Sequence, residues 1–464
     1  MRIVDVLIVP VTGAGYYEDQ AALEAGHVPL PQRFTAQPLT PGFHAVRQIA
    51  RGVSIGLVLD DGRITWGDCV AVAHGHTAGR APLFRAGEGL ATVRDIVAPL
   101  LTGQRVGSFR EIANQVDALT ETAKMLRAQA PVEPPVQDPS LRALLTAPAR
   151  AFQQPRQAAE PTEWVTIERR LHPAIRYGAS QALLQATALA RGGTMAQVIA
   201  DEWDLALPRT LVPLLAQSGH ERHYHAEKMI VHGLDSLPHA AVDDISQQVG
   251  RSGDEMTRYL RWLAERIRQL GDAEYRPTIH IDLRGALGRI FDNQMGQMLG
   301  QLRAWELATQ PYRLRVEDPV IMGSRAAQIE TLKTLRQYIR LRKMNAQIVA
   351  GKWANTLADI RAFVDAGAAD AIQITMPELG GIHNSVEAVL ACRAGDTGAF
   401  IGGSQTETSL SAKVSVHVAL ATSADLLLAK PGVGVDEAIS LARNEMARTL
   451  AILRRATSDR GQGD

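Results

Sequence analysis

Cysteine is scarce in this sequence, since Cys69 and Cys392 are its only two and lie far apart along the 464 residues. Two distant cysteines provide no disulfide framework and are typical of a protein that folds in a reducing compartment. No run of about 18 apolar residues occurs, which argues against a membrane-spanning helix. The N-terminus also lacks the pattern of a secretory signal. We therefore expect a soluble, cytoplasmic protein with no membrane partner.

An excess of charge is also missing, because 49 basic residues balance 49 acidic ones. A nucleic-acid-binding protein needs a basic surplus to pair with phosphates, and this chain has no basic run either. This argues against nucleic acid as a partner. The length exceeds that of a usual single domain, so the sequence predicts two domains.

The first part of the chain, residues 1–208, predicts an α+β domain, because strand-like runs come first and helical periodicity follows. An Asp-Gly pair at 61–62 joins two of the runs and is a strong hairpin signal. The predicted strands are Ile3–Val11, Val53–Leu59 and Ile64–Cys69. The predicted helical stretches are Leu90–Leu126 and Pro173–Arg191.

Residues 129–161 differ from the rest of this domain in their proline content. Seven prolines occur there, with alanine and glutamine between them. Proline at this density prevents a long helix and favours extended or irregular backbone. We interpret the segment as a surface insertion, and the alternative is a lid or a loop that docks a partner.

The second part, residues 209–464, alternates short apolar runs with amphipathic stretches, which is the pattern of repeated βα units. Eight such units predict an α/β fold with a closed parallel barrel, a (β/α)₈ TIM-type barrel, whose chemistry lies at the C-terminal ends of the strands. A closing helix is predicted over Ala442–Leu453. The predicted strands are Leu211–Gln217, Lys228–His232, Thr278–Leu283, Tyr312–Glu317, Gln347–Ala350, Ala371–Thr375, Ala399–Gly402 and Asp425–Lys430.

Acidic residues end two neighbouring barrel strands. The third strand ends at Asp282, and the fourth ends at Glu317, followed by Asp318. Carboxylates at adjacent strand ends can converge on a hard cation such as Mg²⁺, which prefers oxygen ligands. A cation there would stabilise the negative charge that develops when a proton leaves the carbon beside a carboxylate. The alternative is that both are solvated loop carboxylates.

Many ordered motifs give the chain a resemblance to the methylaspartate ammonia-lyase family, carbon–nitrogen lyases of the enolase superfamily. The resemblance covers nearly the whole chain apart from the insertion. It implies a (β/α)₈ barrel with an N-terminal α+β capping domain, a magnesium ion, an amino-acid substrate and a homodimer. The motifs include TPGFHAVRQ at 40–48, SIGLVLDDGRITWGDCVAV at 54–72, HPAIRYGASQALL at 172–184, PTIHID at 277–282, VEDP at 316–319, PELGGIHN at 377–384 and KPGVGVDEA at 430–438.

The resemblance also implies roles for residues at the barrel mouth. In the family, carboxylates on the third, fourth and fifth strands hold the metal, and Asp282 and Glu317 match the first two. A histidine after the second strand transfers a proton, and His239 matches it. The amides expected to bind substrate are matched by Gln217 and Gln373.

Three departures from the family pattern fall on the chemistry. Where the family's fifth strand ends in Val-Ala-Asp-Glu-Trp, this chain has Gly351 and Lys352 in place of the two acids. In the family, a lysine on the sixth strand is the base that removes a proton from the substrate, and this chain has Thr375 at that position. A threonine hydroxyl cannot accept an α-proton at neutral pH without a base of its own. Magnesium binding is therefore expected to be weakened, and Lys352 becomes the candidate catalytic cation.

The substrate side of the pocket departs as well. A glutamine expected in the cap loop is Ala73, and the family's Thr-Cys pair on the seventh strand is Ser404-Gln405. Ser404 and Gln405 remain candidates for substrate binding. We therefore expect an enzyme that acts on a small amino or carboxylic acid by proton abstraction, with methylaspartate itself in doubt as the substrate.

Three hypotheses follow for the altered site. In the first, the Lys352 ammonium lies between Asp282 and Glu317 and replaces the metal. In the second, loop histidines form a new metal site or carry protons. In the third, the fold serves only to bind a small acid or a partner protein. The histidines of the second hypothesis are His74, His76, His220, His223 and His225.

Overall fold

A computed structural model describes residues 1–25, 28–128, 161–430, 432 and 434–460. Met1–Ala118 and His172–Asp464 form one compact unit, and Leu119–Leu171 form a second, smaller one. The proline-rich insertion predicted at 129–161 lies outside the described residues except for Pro161. Within the described ranges, no helix has the length and apolar character needed to cross a membrane.

The N-terminal part contains a three-stranded antiparallel sheet in the order β1-β2-β3. Gly62 occupies the turn between β2 and β3 with φ +84°, so the predicted hairpin is confirmed. The sheet packs closely on a helix, since a Cβ at Gly67 would lie 1.9 Å from the Gly178 carbonyl oxygen. The strands are β1 Ile3–Glu18, β2 Arg47–Leu59 and β3 Ile64–Cys69.

The N-terminal part also contains helices, and Pro173–Ala190 confirms one predicted helical stretch. Most of its residues are buried, as expected for a helix between a sheet and its neighbours. The bounds are Gln20–Ala25, a 3₁₀ turn at Leu30–Gln32, Ala86–Thr92, a π turn at Val93–Val97, Ala98–Leu101, Phe109–Asp117, Pro173–Ala190 and Met195–Glu202.

The smaller unit is a two-stranded antiparallel ribbon, with β4 at Thr120–Ala128 and β5 at Pro161–Arg170. The prediction of helix over Leu90–Leu126 is therefore wrong at its C-terminal end, where the chain is extended. Thr120 pairs with Arg170, 50 positions away along the numbering. Pairing with this distant strand determines the extended conformation of β4, and local hydrophobic periodicity cannot reveal such a partner.

The larger unit contains the predicted closed barrel of eight parallel strands. Its interior is filled by buried apolar side chains, among them Leu215, Val349 and Phe400, so the barrel is a packed core and not a pore. The strands are β6 Leu214–Ala216, β7 Ser236–Pro238, β8 Thr278–Asp282, β9 Leu314–Glu317, β10 Gln347–Ala350, β11 Ala371–Ile374, β12 Gly398–Ile401 and β13 Leu426–Ala429.

The second barrel strand was placed wrongly by the sequence. Lys228–His232 was predicted as a strand, but Arg222–Val231 is a helix and the strand is Ser236–Pro238. The buried residues of that helix are Ala226, Met229 and Ile230, which have the i, i+3, i+4 spacing of one helix face. The true strand has only three residues and ends in proline, so its pattern is too short to detect.

The barrel helices lie between the strands in the sequence, and the closing helix predicted over Ala442–Leu453 is part of a longer one. Their bounds are Arg222–Val231, Ile245–Gln248, Asp254–Leu270, Ala286–Ile290, Met295–Thr309, Arg325–Leu341, Leu357–Asp365, Met376–Leu379, Ile382–Ala394, Ser409–Thr422 and Val435–Arg460.

Candidate active site

A narrow polar cavity lies at the C-terminal ends of the barrel strands, where this fold places its chemistry. The loop after β3 also lines it, through Val72, Ala73, His74 and Arg80. The cavity brings together eight residues that the sequence predicted to act there. These are Gln217, His239, Asp282, Glu317, Lys352, Gln373, Ser404 and Gln405.

Glu317 is the buried centre of one hydrogen-bonded group. Its Oε2 accepts from Nε2 of His239 at 3.2 Å and from Nε2 of His280 at 2.9 Å. Burial alone would raise the pKa of Glu317, but the two imidazoles bring it well below its usual value. The carboxylate is therefore ionised across the physiological range.

The two imidazoles on Glu317 differ in their own pKa values. Burial opposes the protonated form of His239, but the Glu317 carboxylate outweighs it and raises the pKa of His239. Burial dominates at His280 and lowers its pKa to about 4. His280 is thus a neutral partner that orients Glu317. His239 lies at the cavity wall, and its raised pKa favours the protonated ring more than at an ordinary histidine.

Asp282 ends the third barrel strand and is held by Arg284. Its Oδ1 accepts from the Arg284 backbone amide at 3.1 Å, and its Oδ2 lies 3.4 Å from the Arg284 Nε. Arg284 also pairs with Asp243 on its other side. Burial and the nearby Glu317 carboxylate raise the pKa of Asp282. Arg284 was not predicted from the sequence, because an arginine in a loop is usually solvated.

Asp318 is a buried third acid to which the sequence analysis assigned no role. Its Oδ1 accepts from the backbone amides of Gly351 at 2.9 Å and Lys352 at 3.0 Å. Burial, Glu317 and Asp282 raise the pKa of Asp318 to about 7. The available signal was its place directly after Glu317 at a strand end.

Position 351 faces this acidic group, as the sequence predicted. A Cβ added to Gly351 would lie 2.9 Å from the Asp318 Oδ2 and 3.2 Å from the Glu317 Oε1. Carboxylate oxygens of Asp282, Glu317 and Asp318 lie within 4.8 Å of one another. Oxygen donors at this spacing fit a hard divalent cation such as Mg²⁺. His239, His280 and Glu317 form a second group of the same size.

Lys352 lines the cavity, but it does not bridge the two predicted ligands. Among the described residues, its Nζ makes no ion pair within 4.0 Å of Asp282 or Glu317, so the predicted ammonium bridge is wrong. Its side chain is only 8% exposed. Burial, together with the positive charge of Arg80, lowers the pKa of Lys352 to about 8.

Thr375 does not line the cavity. Its hydroxyl donates to the Gln373 Oε1 at 3.1 Å and is buried. The Ser404 hydroxyl accepts from the Ala73 backbone amide at 2.9 Å, so the seventh strand and the cap loop are joined beside the cavity. Gln405 approaches the Tyr16 carbonyl oxygen at 3.5 Å.

The loop histidines do not gather into the metal site that the second hypothesis required. His74 lines the cavity and approaches Glu18 at 3.7 Å. His223 packs edge-on against Trp262 instead. Within the described part of the chain, none of the five predicted loop histidines belongs to a group of three potential ligands.

A barrel with chemistry at its mouth and a strand-rich N-terminal region define this protein as a capped barrel of the enolase type. Muconate lactonizing enzyme from Pseudomonas fluorescens shares this fold at 14% identity, with a TM-score of 0.55 over 90% of this chain and 84% of that chain. The family models for the methylaspartate ammonia-lyase N-terminus and C-terminus match residues 1–133, 132–204 and 206–455. The chain belongs to the methylaspartate ammonia-lyase family.

Individual relatives agree with this membership over their whole length. Methylaspartate ammonia-lyase 2 of Carboxydothermus hydrogenoformans is 38% identical over 98% of this chain and 99% of its own. The solved enzyme of Citrobacter amalonaticus containing (2S,3S)-3-methylaspartic acid is 36% identical and has a TM-score of 0.84, over 98% of this chain and 100% of that chain. The Mg-complex of Clostridium tetanomorphum β-methylaspartase is 34% identical and has a TM-score of 0.82 over the same shares.

Proposed function

We propose that this protein is a carbon–nitrogen lyase that removes ammonia from a small amino acid bearing a second carboxylate. A proton leaves the carbon beside that carboxylate, a carbon–carbon double bond forms, and the carbon–nitrogen electron pair leaves with ammonia. The observation that carries the proposal is the cavity itself, which gathers acids, a histidine, a lysine and amides at the barrel mouth. The family relatives named for this reaction support it.

A divalent cation fits the proposed chemistry. Asp282 and Glu317 would hold it, and when bound it would stabilise the negative charge that grows on the substrate carboxylate as the proton leaves. Both carboxylates are fixed in place by hydrogen bonds from His239, His280 and Arg284. Such support is typical of residues that hold a metal.

His239 is the proposed proton carrier. In the neutral form of the ring, with the Nε2 hydrogen on Glu317, Nδ1 has a free lone pair that can accept a proton. Among the described residues, this buried Nδ1 has no hydrogen-bond partner. In the proposed step this nitrogen accepts the proton from the substrate carbon, and the electron pair of the carbon–hydrogen bond stays on the substrate.

Lys352 is proposed to bind a substrate carboxylate. Its ammonium lines the cavity and, in the part of the chain described here, is not committed to an acid within 4.0 Å. An ammonium left unpaired in a buried site is costly unless an anion joins it. The amides of Gln217 and Gln373, with Ser404 and Gln405, provide the remaining polar contacts.

A second candidate function is non-catalytic binding of a small acid. The observation that favours it is Thr375, whose hydroxyl is bonded to Gln373 and lies outside the cavity lining, so the family's base lysine has no replacement at its own position. In this case the cavity binds the small acid without catalysing any reaction.

The test is ammonia release from (2S,3S)-3-methylaspartate, aspartate and related dicarboxylic amino acids, with Mg²⁺ present. We expect release with at least one of them, and we expect His239→Gln to reduce it by about 10²- to 10⁴-fold. His417→Gln is the matched control, because His417 is also buried, with its Nε2 3.2 Å from the Glu445 carboxylate. Ligand-induced thermal stabilisation without ammonia from any substrate would support the binding protein instead.

A further inference from the structure

Asp318, which has no role in the proposed reaction, adopts a backbone conformation that is unusual for a residue with a side chain. Its φ is +44°, in the left-handed region that favours glycine, and its side chain is only 2% exposed. A residue with a Cβ persists in that conformation when its surroundings over-determine it, and such residues cluster at functional sites. The backbone amides of Gly351 and Lys352 supply that constraint by donating to the Asp318 carboxylate.

The Asp318 carboxylate and a side chain at position 351 compete for one space. A Cβ at 351 would lie 2.9 Å from the Asp318 Oδ2, closer than such atoms approach without a shift. The same Cβ would lie 3.2 Å from the Glu317 Oε1, so the space adjoins a predicted metal ligand. A side chain at 351 would therefore displace the Asp318 carboxylate from this space.

The three acids around this space are each oriented by the protein. Glu317 is held through Oε2 by two imidazoles, which leaves Oε1 on the side of Asp318. Asp282 is held by Arg284, and Asp318 is held by two backbone amides. One oxygen from each acid lies within 4.8 Å of the others. Each of these oxygens therefore belongs to an acid that the protein holds in place, as is typical of metal ligands.

We infer that Asp318 supplies the third carboxylate ligand of a divalent cation, in place of the fifth-strand acid that the family resemblance implies at Gly351. The inference rests on the proposed function for its choice of a divalent cation. Buried carboxylates that converge need positive charge. Arg284 supplies it to Asp282 alone, 3.4 Å away, and in the described residues the Lys352 ammonium makes no ion pair within 4.0 Å of any of the three. The ligand has moved by one strand, and the loss of the side chain at 351 makes room for it.

The experiment measures metal binding in the absence of any substrate. Free Mn²⁺ is titrated with the full-length protein and followed by electron paramagnetic resonance, and Mg²⁺ is followed by calorimetry. Asp318→Asn keeps an acceptor for the two amides and removes the charge. We expect it to weaken Mn²⁺ binding by about tenfold or more, at least as much as the loss of a supporting residue behind a ligand.

An exchange of the two positions keeps the test informative if one variant folds poorly. Asp318→Gly and Gly351→Asp alone are each expected to weaken binding, the first by losing the ligand and the second by the clash. The double variant is expected to recover most of the affinity. Asp425→Asn is the control, because Asp425 also accepts a backbone amide between barrel strands, that of Ala399, at the opposite ends of the strands.

Wild-type Mn²⁺ affinity in Asp318→Asn, or no Mn²⁺ binding by the wild-type protein, would overturn the inference. Mn²⁺ binding that depends on Asp318 supports it, even if no amino acid releases ammonia, and that result would reject the proposed function alone. Conversely, ammonia release with an affinity for Mn²⁺ that is indifferent to Asp318 would reject the inference and leave the proposed function in place.

Discussion

Ser404, which lines the cavity, is held in place by a buried ion pair between Lys430 and Glu407. The Lys430 Nζ lies 2.8 Å from the Glu407 Oε2, and that same oxygen accepts from the Ser404 backbone amide at 2.8 Å. The Tyr177 hydroxyl donates to the other Glu407 oxygen at 2.7 Å. The pair thus fixes the segment that carries Ser404 into the site.

Removal of one partner of this pair is expected to be costly. Lys430→Met would leave Glu407 buried without its counter-charge, and we expect the free energy of unfolding to fall by about 3–5 kcal/mol. Urea unfolding followed by circular dichroism measures it. Lys228→Met is the control, since Lys228 pairs with Asp436 on an exposed surface and its loss should leave the midpoint unchanged. Equal midpoints for the two variants would contradict the account.

The sequence identified the cavity residues well at this scale, and it missed those whose role depends on packing. Asp282 and Glu317 were predicted because each ends a barrel strand, where the fold fixes direction, whereas His239 was predicted from the family resemblance. No role was predicted for Asp318, because the amino-acid sequence does not show that its carboxylate lies beside Gly351. That contact joins two different strands and exists only in three dimensions.

At the scale of elements, the first helix of the chain is anchored by Asp19. Its carboxylate accepts from the backbone amides of Leu39 at 2.6 Å and Thr40 at 2.8 Å and from the Thr40 hydroxyl at 2.6 Å. Its Oδ1 also faces the amide of Ala22 in Gln20–Ala25. One acid therefore joins β1, a short helix and the loop near residue 40.

The pKa of Asp19 gives this anchor a pH dependence. Burial alone would raise that pKa, but the hydrogen bonds from Thr40, Leu39 and Ala22 outweigh it and lower the pKa. A lowered folded-state pKa stabilises the protein above the unfolded-state value of about 4, and the stability is lost as the pH falls through the folded-state pKa. We expect Asp19→Ala to cost about 1–3 kcal/mol at pH 7.

Chemical unfolding of wild type and Asp19→Ala from pH 7 down to pH 3 checks this. The gap in the free energy of unfolding should narrow as the pH falls below about 4. A gap that stays constant over this range would show that the Asp19 charge has no part in it.

Element boundaries were predictable where a strand or helix has a strong pattern of its own. Gln347–Ala350 was placed with its observed ends, while the helix Arg222–Val231 was taken in part for a strand because Met229 and Ile230 form a short apolar run. Most of the strand Thr120–Ala128, up to Leu126, was taken for helix because its strand partner lies far away in the sequence. Local patterns fail where a distant partner decides.

At the scale of the whole molecule, the capped barrel follows from eight repeated units and a strand-rich N-terminal part, and the sequence predicted it. A location in the cytoplasm and a homodimer stay predictions. The domain boundary at 208 and the role of residues 129–161 stay predictions as well. The replacements at Gly351 and Thr375 leave this architecture unchanged.

We propose that the barrel mouth remains a cation-dependent elimination site despite Gly351 and Thr375. Crystals soaked with Mn²⁺ and (2S,3S)-3-methylaspartate, examined by anomalous scattering, test it most directly. We expect an Mn²⁺ peak about 2.0–2.3 Å from oxygens of Asp282, Glu317 and Asp318, with a substrate carboxylate beside Lys352. The Lys352 ammonium seated among those carboxylates, with no Mn²⁺ peak, would contradict the account.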